Sequence, residues 1–283
     1  MRQPELQAFH QSHEAGAGAT VPEGDTVYLA AKRLDNVLAG RDIDASDIRL
    51  PTLATVDLTG LQVREVRPYG KHLMFRLSDN RTLHTHFRMD GSWHIYREGQ
   101  RWTGGPMHSV RIVLHSGIHV AVGYRLHDVR LVPTSRESDI IGHLGPDILD
   151  DTWNREQVRG NVRDEAARPI ADVLVDQRVL AGIGNIYRCE SLFLARIAPT
   201  AHVGDLSDEK LESVVDIARE LMMRNRDRSS QATTGDERRA HFVYGRARQR
   251  CRRCHESVRA RTGAGEGTRP NEQTIFWCPG CQE

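Results

Sequence analysis

The sequence predicts an α+β protein with an N-terminal β-sandwich and a helix packed on it, then a helical domain, then a small cysteine-stapled ribbon. Three observations carry this. Between Leu61 and Val132, short runs alternate apolar and polar residues and are cut by turn residues. After about residue 146 the apolar spacing becomes helical. Four of the five cysteines fall in the last 33 residues. A chain of 283 residues is long enough for two domains and a small module. The expected divisions are a disordered extension over 1–21, a sandwich over 22–145, a helical domain over 146–240 and a ribbon over 241–283.

The first 20 residues are polar, with Gly and Ala clustered at 15–19, and show neither period. A helix follows: Asp25 is placed to cap it, Val27, Ala30, Ala31, Leu34, Val37 and Leu38 line one face, and Gly40 ends it. Strands are expected at Leu61–Arg67, Leu73–Leu77, Val110–Leu114 and Ile118–Val122, separated by turn signals at 78–80, Gly99, Gly104-Gly105 and Ser116-Gly117. Strand signals fade at Leu144-Gly-Pro-Asp147. Pro169 suits the first turn of a helix running to about Val179, Asn185 precedes another through Leu194, and Ser207 caps a longer one whose Leu211, Val214, Val215, Ala218, Leu221 and Met222 recur at helical spacing. No repeat of solenoid length is visible.

The net charge of +1 conceals an asymmetry. From Arg224 to Arg261 there are twelve arginines, no lysine and four acidic residues, an excess of eight that leaves the remainder near −7. Clustered guanidinium groups match phosphate oxygens and release condensed counterions, which favours a polyanion as partner over a merely solvated face. No apolar run approaches the ~20 residues that cross a bilayer, and nothing at the N-terminus has a signal-peptide core. A cytoplasmic protein with no membrane partner is expected.

The cysteines form two Cys-x2-Cys knuckles, Cys251/Cys254 and Cys278/Cys281, with 23 residues between them. This spacing lets four thiolates surround one ion as a tetrahedron, so one structural Zn²⁺ is expected rather than two disulfides. Cys189, alone in an apolar helical run, reads as a buried packing residue.

Four short stretches occur in order: Val21-Pro-Glu-Gly-Asp25, Tyr69-Gly-Lys-His-Leu73, Leu180-Ala-Gly-Ile-Gly-Asn185 and Trp277-Cys-Pro-Gly-Cys-Gln282. Through them the chain resembles the formamidopyrimidine-DNA glycosylase and endonuclease VIII family of bifunctional base-excision repair enzymes, most of all the endonuclease VIII branch. The resemblance runs from Pro22 to the end. It implies a monomeric DNA glycosylase and AP lyase that removes oxidised bases, chiefly pyrimidines, from damaged duplex DNA.

The resemblance also assigns roles. Pro22 would be the nucleophile, since a terminal secondary amine of modest pKa can attack a sugar carbon while an amide nitrogen cannot. Because 21 residues precede Pro22 here, translation is expected to start at Val21, read from a GTG codon, with removal of the initiator freeing the proline. Glu23 would be the general acid, although an exposed glutamate at a helix start is the plainer reading. Lys71 would bind phosphate beside the lesion and supply a proton during strand cleavage, where a solvated lysine is the alternative. Asn185, opening the second helix of a helix-two-turn-helix element, and the free N–H groups around it would receive a phosphate, or act simply as a cap. In the loop Phe87-Arg-Met-Asp90, Met89 would fill the gap left by an extruded nucleotide and Arg88 contact the opposite strand, unless both are ordinary loop packing.

One position departs from the pattern. The family places an arginine five residues before the third cysteine, where this chain has Gln273, and Arg269 lies four residues earlier in a glycine-rich loop. Glutamine brings no positive charge to a phosphate, so β-elimination is expected to proceed and δ-elimination to weaken unless Arg269 substitutes. Two other classes stay open at this stage: a non-catalytic DNA-damage-binding protein of the same fold, and a zinc-ribbon RNA or transcription factor that needs neither Pro22 nor Glu23.

Overall fold

The computed structural model describes residues 22–262 and 274–282. The expected extension over 1–21 and the positions Arg269 and Gln273 lie outside those residues. Helix α1 (Gly24–Leu38) opens the described chain. Its buried stripe of Val27, Ala31, Leu34 and Leu38 matches the sequence period, and Gly40 follows at φ +74°. The start differs from expectation: Glu23 occupies the extended N-cap position, and Asp25 sits in the first turn with its carboxylate turned to other elements.

Nine strands follow: β1 (Arg41–Asp42), β2 (Ala45–Ile48), β3 (Gln62–Tyr69), β4 (His72–Leu77), β5 (Arg81–His86), β6 (Ser92–Arg97), β7 (Val110–Ser116), β8 (His119–Tyr124) and β9 (Asp128–Pro133). They form two antiparallel sheets, β1-β3-β4-β5-β9 and β2-β7-β8-β6. Alternation puts Val63, Val66, Leu73, Phe75, Leu77 and Leu83 of the first sheet against Ile48, Ile112, Leu114 and Ala121 of the second, with the α1 stripe completing the core. The far face of the four-stranded sheet has its own cluster of Tyr96, Val110, Val113, Val120, Val122 and Tyr124, packed with Trp102.

Two pairings set the site. Tyr69 pairs with His72, leaving Gly70-Lys71 as a two-residue turn with Gly70 at φ +54°. His72 pairs with His86, so the Lys71 turn and the loop leaving β5 emerge at the same end of the sheet.

The helical part contains α2 (Ser138–Ile141), α3 (Arg155–Arg163), α4 (Ile170–Val173), α5 (Asn185–Leu194) and α6 (Asp208–Asn225). Ser207 caps α6 by accepting the Lys210 N–H at 3.3 Å, as its position predicts. The helix after Pro169 is much shorter than expected. Pro169 stands extended at its cap, and beyond Val173 the Asp176 carboxylate draws the Arg178 N–H and guanidinium into a turn that interrupts the helical ladder. The last element is the hairpin of β10 (Arg259–Thr262) and β11 (Thr274–Trp277). Its Val258, Ile275, Cys251 and Cys278 join the same buried cluster as Leu192, Phe193, Val214, Ala218 and Met222, so ribbon and helices share one core.

Candidate active site and nucleic-acid interface

The site is assembled where three glycine-bearing turns meet. Pro22, buried, immediately precedes Glu23, which is completely buried at the start of α1. The Glu23 carboxylate accepts the N–H groups of Gly184 at 2.9 Å, Ile186 at 2.7 Å and Tyr187 at 3.5 Å. A side chain from α1 therefore caps α5 across more than 160 positions of sequence. Gly184 is required by this approach, because a Cβ there would lie 2.4 Å from Glu23 Cδ. The Gly24 N–H donates to the Gly182 carbonyl at 2.9 Å, and Gly182 itself is left-handed at φ +108°.

The Lys71 turn docks onto the same place. The Gly70 N–H donates to Asp147 Oδ2 at 2.8 Å while the other Asp147 oxygen takes the Leu149 N–H, and a Cβ on Gly70 would lie 2.9 Å from Ala181 Cβ. Lys71 is close enough for its charge to act on Glu23. Burial pushes the Glu23 carboxyl up to about 7, Lys71 and the two shorter N–H bonds pull it down, and the carboxylate of Asp25 pushes it further up. Desolvation outweighs the helix end here, so Glu23 is an acid that titrates near neutrality.

Asn185 is 6% exposed, with its side chain tied to two neighbours. Its Oδ1 accepts the Arg188 guanidinium at 2.5 and 3.2 Å, and its Nδ2 donates to the Thr274 carbonyl at 3.0 Å, joining α5 to β11. The backbone N–H groups of Gly184, Ile186 and Tyr187, expected to be free for phosphate, are taken by Glu23, an internal anion already seated there. Cys189 is buried in α5, as expected, and accepts the Phe276 N–H at 3.4 Å.

In the loop after β5, Phe87 is buried and accepts the Gly91 N–H, while the Asp90 carbonyl takes Arg125 at 2.8 Å. Between these pinned flanks Arg88 is exposed and left-handed at φ 54°, its N–H donated to His86 Nδ1 at 2.9 Å, and Met89 is half-buried. The loop thus presents its two middle side chains at the end of the sheet that carries Lys71. Behind it His72 stacks on His84 and meets His86 edge to face, with His72 Nδ1 2.9 Å from His84 Nε2. Burial pushes these imidazoles down to about 3, 4 and 4 respectively, so they are neutral at physiological pH.

Sequence reasoning missed several positioning residues. Gln177 accepts the Gly182 N–H and donates to the Ile183 carbonyl, clamping the glycine-rich turn. Glu190, fully buried, accepts the N–H groups of Phe242, Val243 and Tyr244 at 2.8–2.9 Å and so fixes the lead into the ribbon. A glutamate at an otherwise buried helical position was the available signal for the latter.

The four ribbon thiols come together: their sulfurs lie within 4.8 Å of one another, with Cys251 to Cys281 at 3.9 Å and Cys254 to Cys278 at 3.3 Å. Thiolates around a tetrahedral ion with Zn–S near 2.3 Å would be about 3.8 Å apart, so this donor set fits a zinc ion. Among the described residues no arginine from Arg228 to Arg261 forms an ion pair, and no helix is long and apolar enough to cross a membrane.

Comparison with known proteins gives a consistent result. Residues 21–132 match the formamidopyrimidine-DNA glycosylase N-terminal domain, and residues 144–234 match the formamidopyrimidine-DNA glycosylase H2TH domain. A probable endonuclease 8 2 of Streptomyces coelicolor is 46% identical over 262 residues, covering 93% of this chain and 94% of that protein. A DNA-(apurinic or apyrimidinic site) lyase Nei2 of Mycolicibacterium smegmatis is 38% identical over 264 residues, covering 93% and 99%. The Lactococcus lactis formamidopyrimidine-DNA glycosylase, solved non-covalently bound to DNA containing an AP site, superposes with a TM-score of 0.76 at 21% identity over 93% of this chain and all of that one.

Proposed function

The chain belongs to the formamidopyrimidine-DNA glycosylase family, with endonuclease 8 proteins among its relatives, and from that premise we propose how this DNA glycosylase and AP lyase works and on what. The substrate is duplex DNA carrying an oxidised base, chiefly a pyrimidine, and the protein acts on it as a monomer. Residues 22–145 form the catalytic sandwich, 146–240 the helical DNA-binding domain and 241–283 the ribbon.

The free imino nitrogen of Pro22 attacks C1′. The N–C1′ bond forms as the glycosidic bond breaks and the base departs; loss of the nitrogen's proton leaves a neutral amine on C1′, whose lone pair forms the iminium when the C1′–ring-oxygen bond breaks. Glu23 gives its proton to the deoxyribose ring oxygen as the ring opens. The resulting iminium acidifies the neighbouring sugar carbon, which lets β-elimination cut the strand, with Lys71 holding the adjacent phosphate. Met89 fills the space vacated by the extruded nucleotide, Arg88 meets the opposite strand, and Asn185 contributes to phosphate binding. The second, δ-elimination is weak, because Gln273 stands where the family pattern has an arginine and only Arg269 is near in sequence to replace it. Cys251, Cys254, Cys278 and Cys281 would hold one Zn²⁺, which closes the ribbon and leaves no coordination position for chemistry.

The observation that carries this reading is the buried Glu23 carboxyl, titrating near 7 beside Pro22 and within reach of the Lys71 charge. Borohydride trapping tests it. Protein beginning at Pro22 is expected to form a reducible covalent adduct with duplex containing thymine glycol, and the 283-residue chain, whose Pro22 nitrogen is an amide, is not. Absence of the adduct from the Pro22-initiated protein would leave a DNA-damage-binding protein of the same fold. Cleaved abasic DNA ending mainly in 3′-phosphate would refute the weak second elimination.

A further inference from the structure

Beneath Glu23 lies a second buried acid that none of the steps above uses. Asp25 is 2% exposed in the first turn of α1. Its Oδ2 accepts the Tyr187 hydroxyl at 2.5 Å, and both its oxygens accept the Gln231 amide, at 2.9 and 3.2 Å. Asn225, the last residue of α6, donates to the same Tyr187 oxygen at 3.0 Å. Tyr187 thereby touches both acids, since its backbone N–H reaches Glu23 Oε2 at 3.5 Å.

The cluster has more acceptors than donors. Asn225 Oδ1 and Gln231 Oε1 are buried without a hydrogen-bond partner, because the hydrogens of Tyr187 and Gln231 are taken up by the Asp25 oxygens. A buried carbonyl oxygen lacking a donor is costly, so such a cluster favours holding an additional hydrogen. Two carboxyls in one dry region resist ionising together, because each charge raises the energy of the other where screening is weak. Lys71 supplies one positive charge toward Glu23, enough to balance one carboxylate. The other titratable groups facing the pair are Tyr187 and Cys189 on α5 and Tyr244 on the segment leading into the ribbon, and burial keeps all three neutral. From α6 and the segment after it, Asp25 meets only the amides of Asn225 and Gln231.

We propose that Glu23 and Asp25 form a coupled pair that holds one proton between them, bridged by Tyr187, and that Asp25 is a positioning residue that keeps Glu23 the acid. Burial raises the Asp25 carboxyl while hydrogen bonds from Tyr187 and Gln231 lower it, and burial together with the Asp25 charge raises Glu23, so the proton stays with Glu23. The inference rests on the reading of Glu23 as the acid of the reaction.

The test is the pH profile of the single-turnover trapping rate on abasic duplex, using protein that begins at Pro22. Asp25→Asn keeps the shape and the Tyr187 bond but removes the neighbouring charge, so Glu23 should lose its proton at lower pH. The alkaline limb is expected to move down by about one pH unit, cutting the rate roughly 10-fold at about pH 8 and under about 2-fold at about pH 6. Tyr187→Phe removes the donor that favours charge on Asp25, so the proton moves there and the limb shifts the same way. Affinity for abasic duplex should stay within about 2-fold in both variants, because neither group is assigned a DNA contact. Melting curves show whether each variant folds, and Tyr187→Phe carries the test if Asp25→Asn does not. Profiles parallel to wild type, or a rate loss matched by lost DNA affinity, would overturn the pair. Wild-type protein that traps no DNA would overturn the enzymatic reading and the pair with it.

Discussion

The sandwich and the segment beyond Asp227 use arginine in opposite ways. In the sandwich the guanidinium groups are mostly neutralised locally: Arg76 lies between Glu65 and Glu137, Arg49 pairs with Asp47, Arg67 with Glu65 and Arg81 with Asp79. Beyond Asp227 the pattern inverts. Arg246 and Arg252 bind backbone carbonyls, Arg253 lies 4.4 Å from the centre of the Phe193 ring, and no arginine among the described residues there has a carboxylate partner. The sandwich uses its charges to hold itself together, while the segment beyond Asp227 keeps positive charge unneutralised and available to phosphate.

Several measurements would break or sharpen this contrast. The largest effect is expected from Cys278→Ser or zinc chelation. The ribbon shares a core with the helices, so loss of the ion should destabilise that half by several kcal/mol, on the order of 5 kcal/mol or more, while the sandwich core keeps its own transition. Domain-resolved melting with zinc content measured in parallel checks this, and simultaneous collapse of both halves would contradict it. Next comes Phe75→Ala in the sandwich core, expected to cost about 3–5 kcal/mol in denaturant unfolding and to leave zinc content unchanged.

Glu23 gives the third test. Its folded-state value near 7 lies above its ordinary 4.5, so the native state binds more protons than the unfolded chain between those limits. Stability from this group is complete at about pH 4.5 and falls as pH rises through about 7, by an order of magnitude of 3 kcal/mol. Glu23→Gln should flatten that dependence, whatever constant offset it adds, and equal pH slopes for both proteins would refute it. The fourth test concerns salt. Replacing Arg250 or Arg259 by Ala should reduce the slope of log affinity against log salt by about 1 each, whereas Arg49→Ala should leave it unchanged. The smallest effect is expected for Arg136→Ala, whose exposed pair with Asp139 should contribute under about 1 kcal/mol.

Much of this was legible in the sequence because it is local. Helix α1, helix α6 with its Ser207 cap, and strands β3, β4, β7 and β8 carry their period in their own residues. Strand β5 was not legible: Arg81-Thr-Leu-His-Thr-His86 has one aliphatic residue, and it is a strand because β4 and β9 flank it. Helix α3 buries only Val158 and Val162, too few for a stripe, although Asn154 before it is a cap that accepts the Gln157 N–H at 3.0 Å. The ordered motifs named the glycine-rich turns that meet at the site but not what they meet, because the bonds of Glu23 to α5 span the chain and no periodicity encodes them. For the same reason Asp25 was assigned to a cap when it is a ligand of Tyr187 and Gln231.

At the meeting of the two halves, Gly24, Gly70 and Gly184 approach their neighbours so closely that an added methyl carbon would stand 2.4–2.9 Å from another atom. The atoms they meet are Met222 Cε, Ala181 Cβ and Glu23 Cδ, so each bare backbone is the seat for a side chain of the other half. These seats set how near the two halves can come, because nothing larger than hydrogen fits between them. Alanine at Gly70 or Gly184 would wedge the halves apart, whereas at Gly24 the flexible tip of Met222 has room to yield.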